Sequence, residues 1–269
     1  MKRAQAFAKI NLALVVGPVR DEGKHEVVTV LQRVDLADGI ELESAETLTV
    51  DGFEDDTLVR CALEALAAAA GVAPRWRARI EKRIPVASGL GGGSSDAASI
   101  LVLANVHLSE PLPPAALHDV AAGLGADVPF FLQAGTRLAT GDGTTLAPIE
   151  LPHEYLVVLV LPDRQSKEST EAVYRRFDER DGARGFDERR AALLDTLRSV
   201  EEAHDLACMP RNDLVSSPLA GQLEELGAFR ADVSGAGPTV YGLFDRLTDA
   251  EHAAAAFRRA GRTWIVRPV

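Results

Sequence analysis

The apolar positions fall into runs and stripes with the period of a strand in some places and of a helix in others. Residues 6–16 and 27–36 are apolar and rich in β-branched side chains, as buried strands are, and Ile40–Glu43 reads as a third strand. RARIEKRI, residues 77–84, sets Ala78, Ile80 and Ile84 against mostly charged odd positions, the alternation of a strand with one wet face. EDDTLVRCALEALAAAAG, residues 54–71, starts acidic, continues in strong helix formers and stops at Gly71. A second helix is expected over 94–107, capped by Ser94 or Ser95. Residues 140–155 are loop-like, and YLVVLVLP after them reads as a buried strand. Helices are expected over 169–179 and 187–204, separated by the turn-rich RDGARGF. TVYGLFD and TWIVRPV then flank a helix whose Thr248 and Glu251 make a capping box and whose Gly261 ends it. Strand pairs grouped at the start and an irregular alternation afterwards predict an α+β fold, not a doubly wound parallel sheet.

Composition narrows the function. With 46% hydrophobic and 26% charged residues the chain reads as an ordinary globular protein, and no window has the apolar length of a membrane span. Lys9 and Asn11 interrupt the apolar N-terminus and no small-residue cleavage site follows, so no signal peptide is expected. Cys61 and Cys208, far apart and without metal-ligand companions, suit a reducing cytoplasm. A net charge of −11 argues against nucleic acid as a partner. An anionic substrate must therefore be held locally, by backbone N–H groups and a few cations.

PVASGLGGGSSDAASI, residues 85–100, carries Gly89, Gly91, Gly92 and Gly93 between an expected strand and an expected helix. Unblocked backbone N–H groups and the positive end of a helix suit a phosphate chain. The stretch is not a Walker A loop, because no Gly-Lys-Ser/Thr follows, nor the dinucleotide fingerprint, because Ser94 falls where the third glycine should be. A tight connection without a ligand is the plainer alternative. A second glycine site, SGAGPT at Ser234–Thr239, alone would be a turn; with the first, it could close around the same triphosphate. Lys9 sits in an apolar strand, where a lysine is costly unless paired, and Asn11 shares its face. Asp127, just before Val128 and Pro129, reads by itself as a helix cap, and His25 as an exposed residue of a polar turn.

AFAKINLAL, IPVASGLGGGSSDAAS and VSGAGPT, in that order, resemble the three motifs of the GHMP small-molecule kinases, and the resemblance covers nearly the whole chain. Within that family, GKHEVVTVLQRVDLADGIEL, LGADVPFFL and RNDL resemble the branch acting on a cytidine-diphosphate-linked methylerythritol. The resemblance implies two α+β domains, 1–150 and 151–269, with the active site in the cleft between them, and ATP-dependent phosphorylation of a hydroxyl of that small molecule. It implies Asp127 as the base and Lys9 as its partner. It implies a phosphate loop of Pro85, Val86, Ala87, Ser88, Gly89, Leu90, Gly91, Gly92, Gly93, Ser94 and Ser95, with Lys82 near the nucleotide. Asn11, His25 and Tyr174 would bind the substrate, His25 recognising the cytosine and Tyr174 stacking on it. Mg²⁺ is expected with the ATP phosphates, approached by Ser95 or Asp96, without a dedicated protein cage. The chain departs from the family pattern at Lys24, where a Tyr is usual, at Thr57 (often Asn), at Val215 (often acidic) and at Ala236 (commonly Ser). Lys24 keeps open a GHMP kinase for another acceptor, such as homoserine or a sugar; a non-catalytic nucleotide-binding relative is the other alternative.

Overall fold

The computed structural model describes residues 1–53, 57–163 and 169–269. Contacts divide the chain into two compact units, and neither is one continuous stretch: unit 1 is Met1–Ala8, Leu36–Val86 and Gly91–Ala134, and unit 2 is Lys9–Asp35, Ala87–Leu90 and Gly135–Val269. Two long strands, β1 (Lys2–Val19) and β2 (His25–Ser44), contribute to both. The α+β class is the one expected from the sequence.

In unit 1, Gly39–Ser44 of β2 pairs antiparallel with β4 (Trp76–Glu81), and β3 (Thr49–Asp51) runs parallel to β4 on its other side. The alternation expected of β4 is observed, with Trp76, Ala78 and Ile80 inward. α1 (Thr57–Ala70) packs on α2 (Gly92–Asn105) and α3 (Pro114–Leu124), followed by the single turn α4 (Val128–Phe131). Val59, Ala62, Leu63 and Leu66 recur at the spacing of one helix face and are all fully buried, which is why this segment folds as a helix. The acidic start expected for it, residues 54–56, and the Thr57 side chain lie outside the described residues.

In unit 2, Val27–Leu31 of β2 pairs with β5 (Arg137–Gly141), and β5 with β6 (Thr145–Pro148). A separate antiparallel sheet has the order β10-β7-β9-β8, built from β7 (Leu156–Pro162), β8 (Arg230–Val233), β9 (Val240–Phe244) and β10 (Gly261–Val266). β7 reads as an unbroken apolar run because both its faces are covered; α7 (Pro218–Glu225) and α8 (Leu247–Phe257) pack on this sheet and share a core with Val158, Val160 and Phe244. α5 (Thr170–Glu179) and α6 (Phe186–Ser199) lie between β7 and β8 in sequence, with Ser169 capping α5 by accepting from Ala172 N.

Several local expectations are corrected. The two strands expected at 27–36 and 40–43 are one strand, because Asp38-Gly39 does not turn: Asp38 is buried and accepts from Arg83 N and Ile84 N, while Gly39 makes room for Glu81. The expected loop at 140–155 begins inside a hairpin of Arg137–Gly141 and Thr145–Pro148, at whose turn lie Gly141 (φ 71°) and Gly143 (φ 99°). Neither Ser94 nor Ser95 caps α2; the cap is Gly91 at φ 70°, which lets Ser95 N reach Gly91 O at 2.9 Å. α8 starts one residue before Thr248 and has no side-chain cap, so the Thr248–Glu251 box does not form; α8 ends at Phe257 and Gly261 opens β10. The helix expected to reach residue 204 stops at Ser199, and a 3₁₀ turn follows over Ala203–Cys208.

Candidate active site

The glycine stretch passes from one unit to the other. Ala87–Leu90 belongs to unit 2, where it is stitched to the second glycine turn: Thr239 N donates to Ser88 O at 3.1 Å, and Ser234 Oγ donates to Gly89 O at 2.9 Å. Gly89 has φ 83°, and a Cβ there would collide with Ser234 O and lie 2.9 Å from Gly237 O. The density of glycine is thus partly a packing requirement between the two turns, a contribution separate from ligand binding. Ala87 is also left-handed (φ 61°), a strain of about 1–2 kcal/mol for a residue with a Cβ. Pro85 is half-buried, Val86 exposed, and Ser88 and Leu90 buried.

Lys9 lies beside this pair of turns in unit 2. Its backbone N donates to Leu90 O at 2.9 Å, and its Nζ donates to Asn11 Oδ1 at 2.7 Å. Asn11 Nδ2 in turn donates to Thr29 Oγ1 at 2.8 Å, and Thr29 Oγ1 to Ala13 O at 2.7 Å. Lys9 and Asn11 are each about 95% enclosed, so this chain of bonds fixes an ammonium that would otherwise be costly to bury. A Cβ on Gly235 would lie 3.4 Å from Asn11 Oδ1 and 3.6 Å from Lys9 Nζ, so the second glycine turn stands directly against both. The structure therefore gathers Lys9, Asn11, Ser88–Leu90 and Ser234–Gly237 in one place within unit 2.

On the unit 1 side, Gly91–Gly93 opens α2, with Ser94 half-buried and Ser95 enclosed in the first turn. Lys82 follows β4, and its Nζ bonds Asp38 Oδ2 at 2.5 Å and Asp96 Oδ2 at 2.7 Å. Asp38 Oδ1 accepts from Arg83 N and Ile84 N. A Cβ on Gly92 would lie 2.9 Å from Ile84 Cγ2 and 3.3 Å from Lys82 Nζ, so the chain leaving β4 and the chain entering α2 touch beneath the loop. Lys82, expected near a nucleotide, is committed to two buried carboxylates. The opposition of Asp96 and Asp38 to its burial keeps its proton held more tightly than usual. Asp96, expected to approach a metal, is itself enclosed in this cluster, and its Oδ1 has no hydrogen-bond partner.

Burial, reinforced by the Asp38 charge and opposed by Lys82, pushes the Asp96 carboxyl up to about 8 from its ordinary 3.8. The folded state then binds this proton more tightly than the unfolded chain. The stabilisation is complete below about pH 4 and is lost as pH rises through about 8. Asp96→Asn, which keeps the shape without the charge, is expected to improve in melting temperature relative to the parent between pH 6 and pH 9. A difference that does not change with pH would mean that Asp96 is ionised throughout.

Asp127 precedes α4 in unit 1 and is half-buried; its side chain makes no capping bond to that turn, so its position does not need it as a cap. In unit 2, His25 Nε2 pairs with Asp178 Oδ1 at 2.8 Å, and its ring lies 4.8 Å from Tyr174 and 5.8 Å from Phe177. His25 and Tyr174 are thus brought together. Lys24 is tied to Asp142 at 2.7 Å; hydrogen bonds from Lys24 and Thr144 outweigh the effect of burial and hold Asp142 down at about 2. Asp38, Thr29 and Asn212, whose side chain reaches Gly235 O at 2.7 Å, had no expected role, and Ser234 was expected only as part of the second glycine turn. The only signal in the sequence for Asp38 is a carboxylate followed by glycine inside an apolar run.

The chain matches the family descriptions "GHMP kinases N terminal domain" over residues 57–135 and "GHMP kinases C terminal" over residues 197–263. It is 36% identical to a 4-diphosphocytidyl-2-C-methyl-D-erythritol kinase of Chlorobium phaeobacteroides, over 94% of this chain and 93% of that protein. It is 39% identical to the protein of the same name in Gloeobacter violaceus, over 94% and 88%. The crystal structure of a 4-(cytidine 5'-diphospho)-2C-methyl-D-erythritol kinase superposes with a TM-score of 0.79 at 31% identity, covering 99% of both chains. A homoserine kinase from Cytophaga hutchinsonii shares the fold alone, with a TM-score of 0.70 at 15% identity. The chain belongs to the GHMP kinases, within the 4-diphosphocytidyl-2-C-methyl-D-erythritol kinase family.

Proposed function

We propose that this protein transfers a phosphoryl group from ATP to the 2-hydroxyl of 4-diphosphocytidyl-2-C-methyl-D-erythritol, in non-mevalonate isoprenoid precursor biosynthesis. Near full-length identity to relatives named for that substrate carries the reading. The hydrogen-bonded Lys9–Asn11 pair against two stitched glycine turns supports it. Phosphoryl transfer needs positioning and charge stabilisation more than covalent chemistry from the protein. In this reading Asp127 takes the proton of the acceptor hydroxyl, and Lys9 orients Asp127 and steadies the negative charge left on the acceptor oxygen. Asn11 holds both the Lys9 ammonium and the acceptor. The backbone from Pro85 to Ser95 cradles the nucleotide phosphates, and Lys82 holds the base of that loop. His25 and Tyr174 receive the cytosine, and Lys24, engaged by Asp142, leaves the stacking to Tyr174.

Among the described residues no cluster of three or more His, Cys, Asp or Glu side chains forms a metal cage. In this reading Mg²⁺ would come with the ATP phosphates and offset their charge. No helix among the described residues is long and apolar enough to cross a membrane, and both cysteines are exposed thiols, in keeping with a cytoplasmic enzyme. The two matched family segments lie on either side of residue 150, where we place the boundary between an N-terminal module, 1–150, and a C-terminal module, 151–269.

A coupled assay of ADP release tests the function. Turnover with the cytidylyl acceptor and none with homoserine or galactose is expected. Turnover only with the other alcohols would move the protein to another GHMP activity, and ATP binding without any turnover would sink both readings.

A further inference from the structure

RNDL, residues 211–214, carries part of the family resemblance without a role in the chemistry above. In unit 2 it ties β1 to the second glycine turn. Asp213 N donates to Leu14 O at 2.9 Å, and Asp213 Oδ2 accepts from Val16 N at 2.8 Å. Asn212 is buried, and its backbone N–H and both polar atoms of its side chain are used. Its N donates to Asp232 Oδ2 at 2.8 Å, its Oδ1 accepts from Leu214 N at 2.8 Å, and its Nδ2 donates to Val233 O at 2.9 Å and Gly235 O at 2.7 Å. Two carbonyls facing one side-chain nitrogen require an amide; a carboxylate there would oppose both oxygens.

Both carbonyls belong to trans peptide units, since among the described residues the one cis bond is Gly237-Pro238. In a trans unit the N–H points opposite to its C=O. The Val233 carbonyl therefore fixes Ser234 N–H, which donates to Thr239 O at 2.9 Å and closes the turn. The Gly235 carbonyl likewise turns Ala236 N–H away from Asn212. Among the described residues no acceptor is recorded for that N–H. The Ala236 methyl packs on the cluster that includes Leu14, Val27 and Phe177, so the residue is held at its side chain as well. With Ala at 236, the side chain offers no hydroxyl, and the N–H is the donor this residue has. Lys9 Nζ stands against the adjacent Gly235.

We propose that Asn212 is a positioning residue that aims the Ala236 N–H, beside the Lys9 ammonium, as a donor to a phosphoryl oxygen. The inference rests on the kinase reading above and assigns a part of the chain that this reading leaves without a task. The oxygen belongs either to the nucleotide or to the diphosphate of the acceptor.

Labelling glycine carbonyls with ¹³C and alanine nitrogens with ¹⁵N selects the four Gly–Ala amides of the chain, at Ala126, Ala183, Ala228 and Ala236. The intact protein is titrated separately with Mg²⁺–AMP-PNP and with CDP, with occupancy followed by calorimetry. The Ala236 amide is expected to move downfield with one of them, which identifies the source of the oxygen. Asn212→Asp is expected to lose that shift at full occupancy and to lower kcat about 10- to 100-fold, less than the outright loss of an oxyanion donor. A purely structural Asn212 would lower the melting temperature and leave kcat of the folded fraction unchanged. An unmoved Ala236 amide in the saturated parent protein overturns the proposal even if the variant does not fold. If calorimetry finds neither ligand bound, the kinase reading fails and this one falls with it.

Discussion

Asp127→Asn is expected to cut kcat by about 10²- to 10³-fold while leaving the KM for ATP within about threefold and the melting temperature within about 2 °C. The size follows from the chemistry. A positioned general base contributes about 10²- to 10⁴-fold, and the loose transition state of phosphoryl transfer needs little proton removal before bond formation, which favours the lower part of that range. The small effect on stability follows from the structure. Asparagine is isosteric, and the Asp127 side chain makes no capping bond to α4, so no cap is lost. Steady-state kinetics with the cytidylyl acceptor, together with thermal unfolding, check both halves. A variant with undiminished kcat would remove Asp127 from the chemistry, and a melting temperature down by 10 °C would make it a structural residue.

Gly89→Ala is expected to be the most destabilising single methyl in the site. Gly89 combines two demands, a left-handed φ of 83° and the close approach of backbone from the second glycine turn, since a Cβ would run into Ser234 O. Holding a non-glycine residue left-handed costs about 1–3 kcal/mol, and forced overpacking costs another 1–3 kcal/mol. The combined cost of about 2–6 kcal/mol is a large part of the 5–15 kcal/mol that folded proteins typically have. A fall in melting temperature of about 5–20 °C follows. Gly93→Ala is the internal control, because its Cβ would meet only Leu58 Cδ2, at 3.9 Å. Equal melting temperatures for the two variants would show that the turns do not pack as described.

What could be read from the sequence depended on how local the cause was. The cores of β1, β4 and β7 are apolar runs or alternations within the element itself and were legible. Asp38-Gly39 resembles a turn in isolation, so the pattern predicts two strands where β2 is one. The groups that keep it extended, Lys82, Arg83 N and Ile84 N, lie more than forty residues away. Arg230 and Asp232 look like surface residues, so the pattern predicts no strand at β8. In the fold Arg230 is enclosed and donates to the carbonyls of Leu12, Met209 and Pro210, so a charged pair sits in a fully buried strand. At the start of α2 a left-handed glycine, not a hydroxyl, occupies the cap position, which the neighbouring serines conceal.

The site shows the same division. Lys9 was legible because a lysine in an apolar strand demands a partner, and Asn11 because it shares that face. The clamp of Lys82 by Asp38 and Asp96, and the support of the second glycine turn by Asn212, join residues 14 to 44 positions apart, and nothing local announces them. The two glycine stretches were legible as a pair, but not the reason Gly89 must be glycine, which lies in the other stretch.

The order of the chain through the two units sets how this protein can be divided or inherited. The backbone changes unit after Ala8, Asp35, Val86, Leu90 and Ala134, so no single cut releases either one whole. A fragment beginning at residue 151 would hold the sheet of β7–β10 but would lack Leu12, whose carbonyl accepts a hydrogen bond from Arg230, and Val16, whose N–H donates to Asp213. The enclosed Arg230 and the half-buried Asp213 would each lose a hydrogen-bond partner. Recombination that swaps one half between related genes therefore has to match both sides of these contacts, and the protein is expected to evolve as a single indivisible cassette.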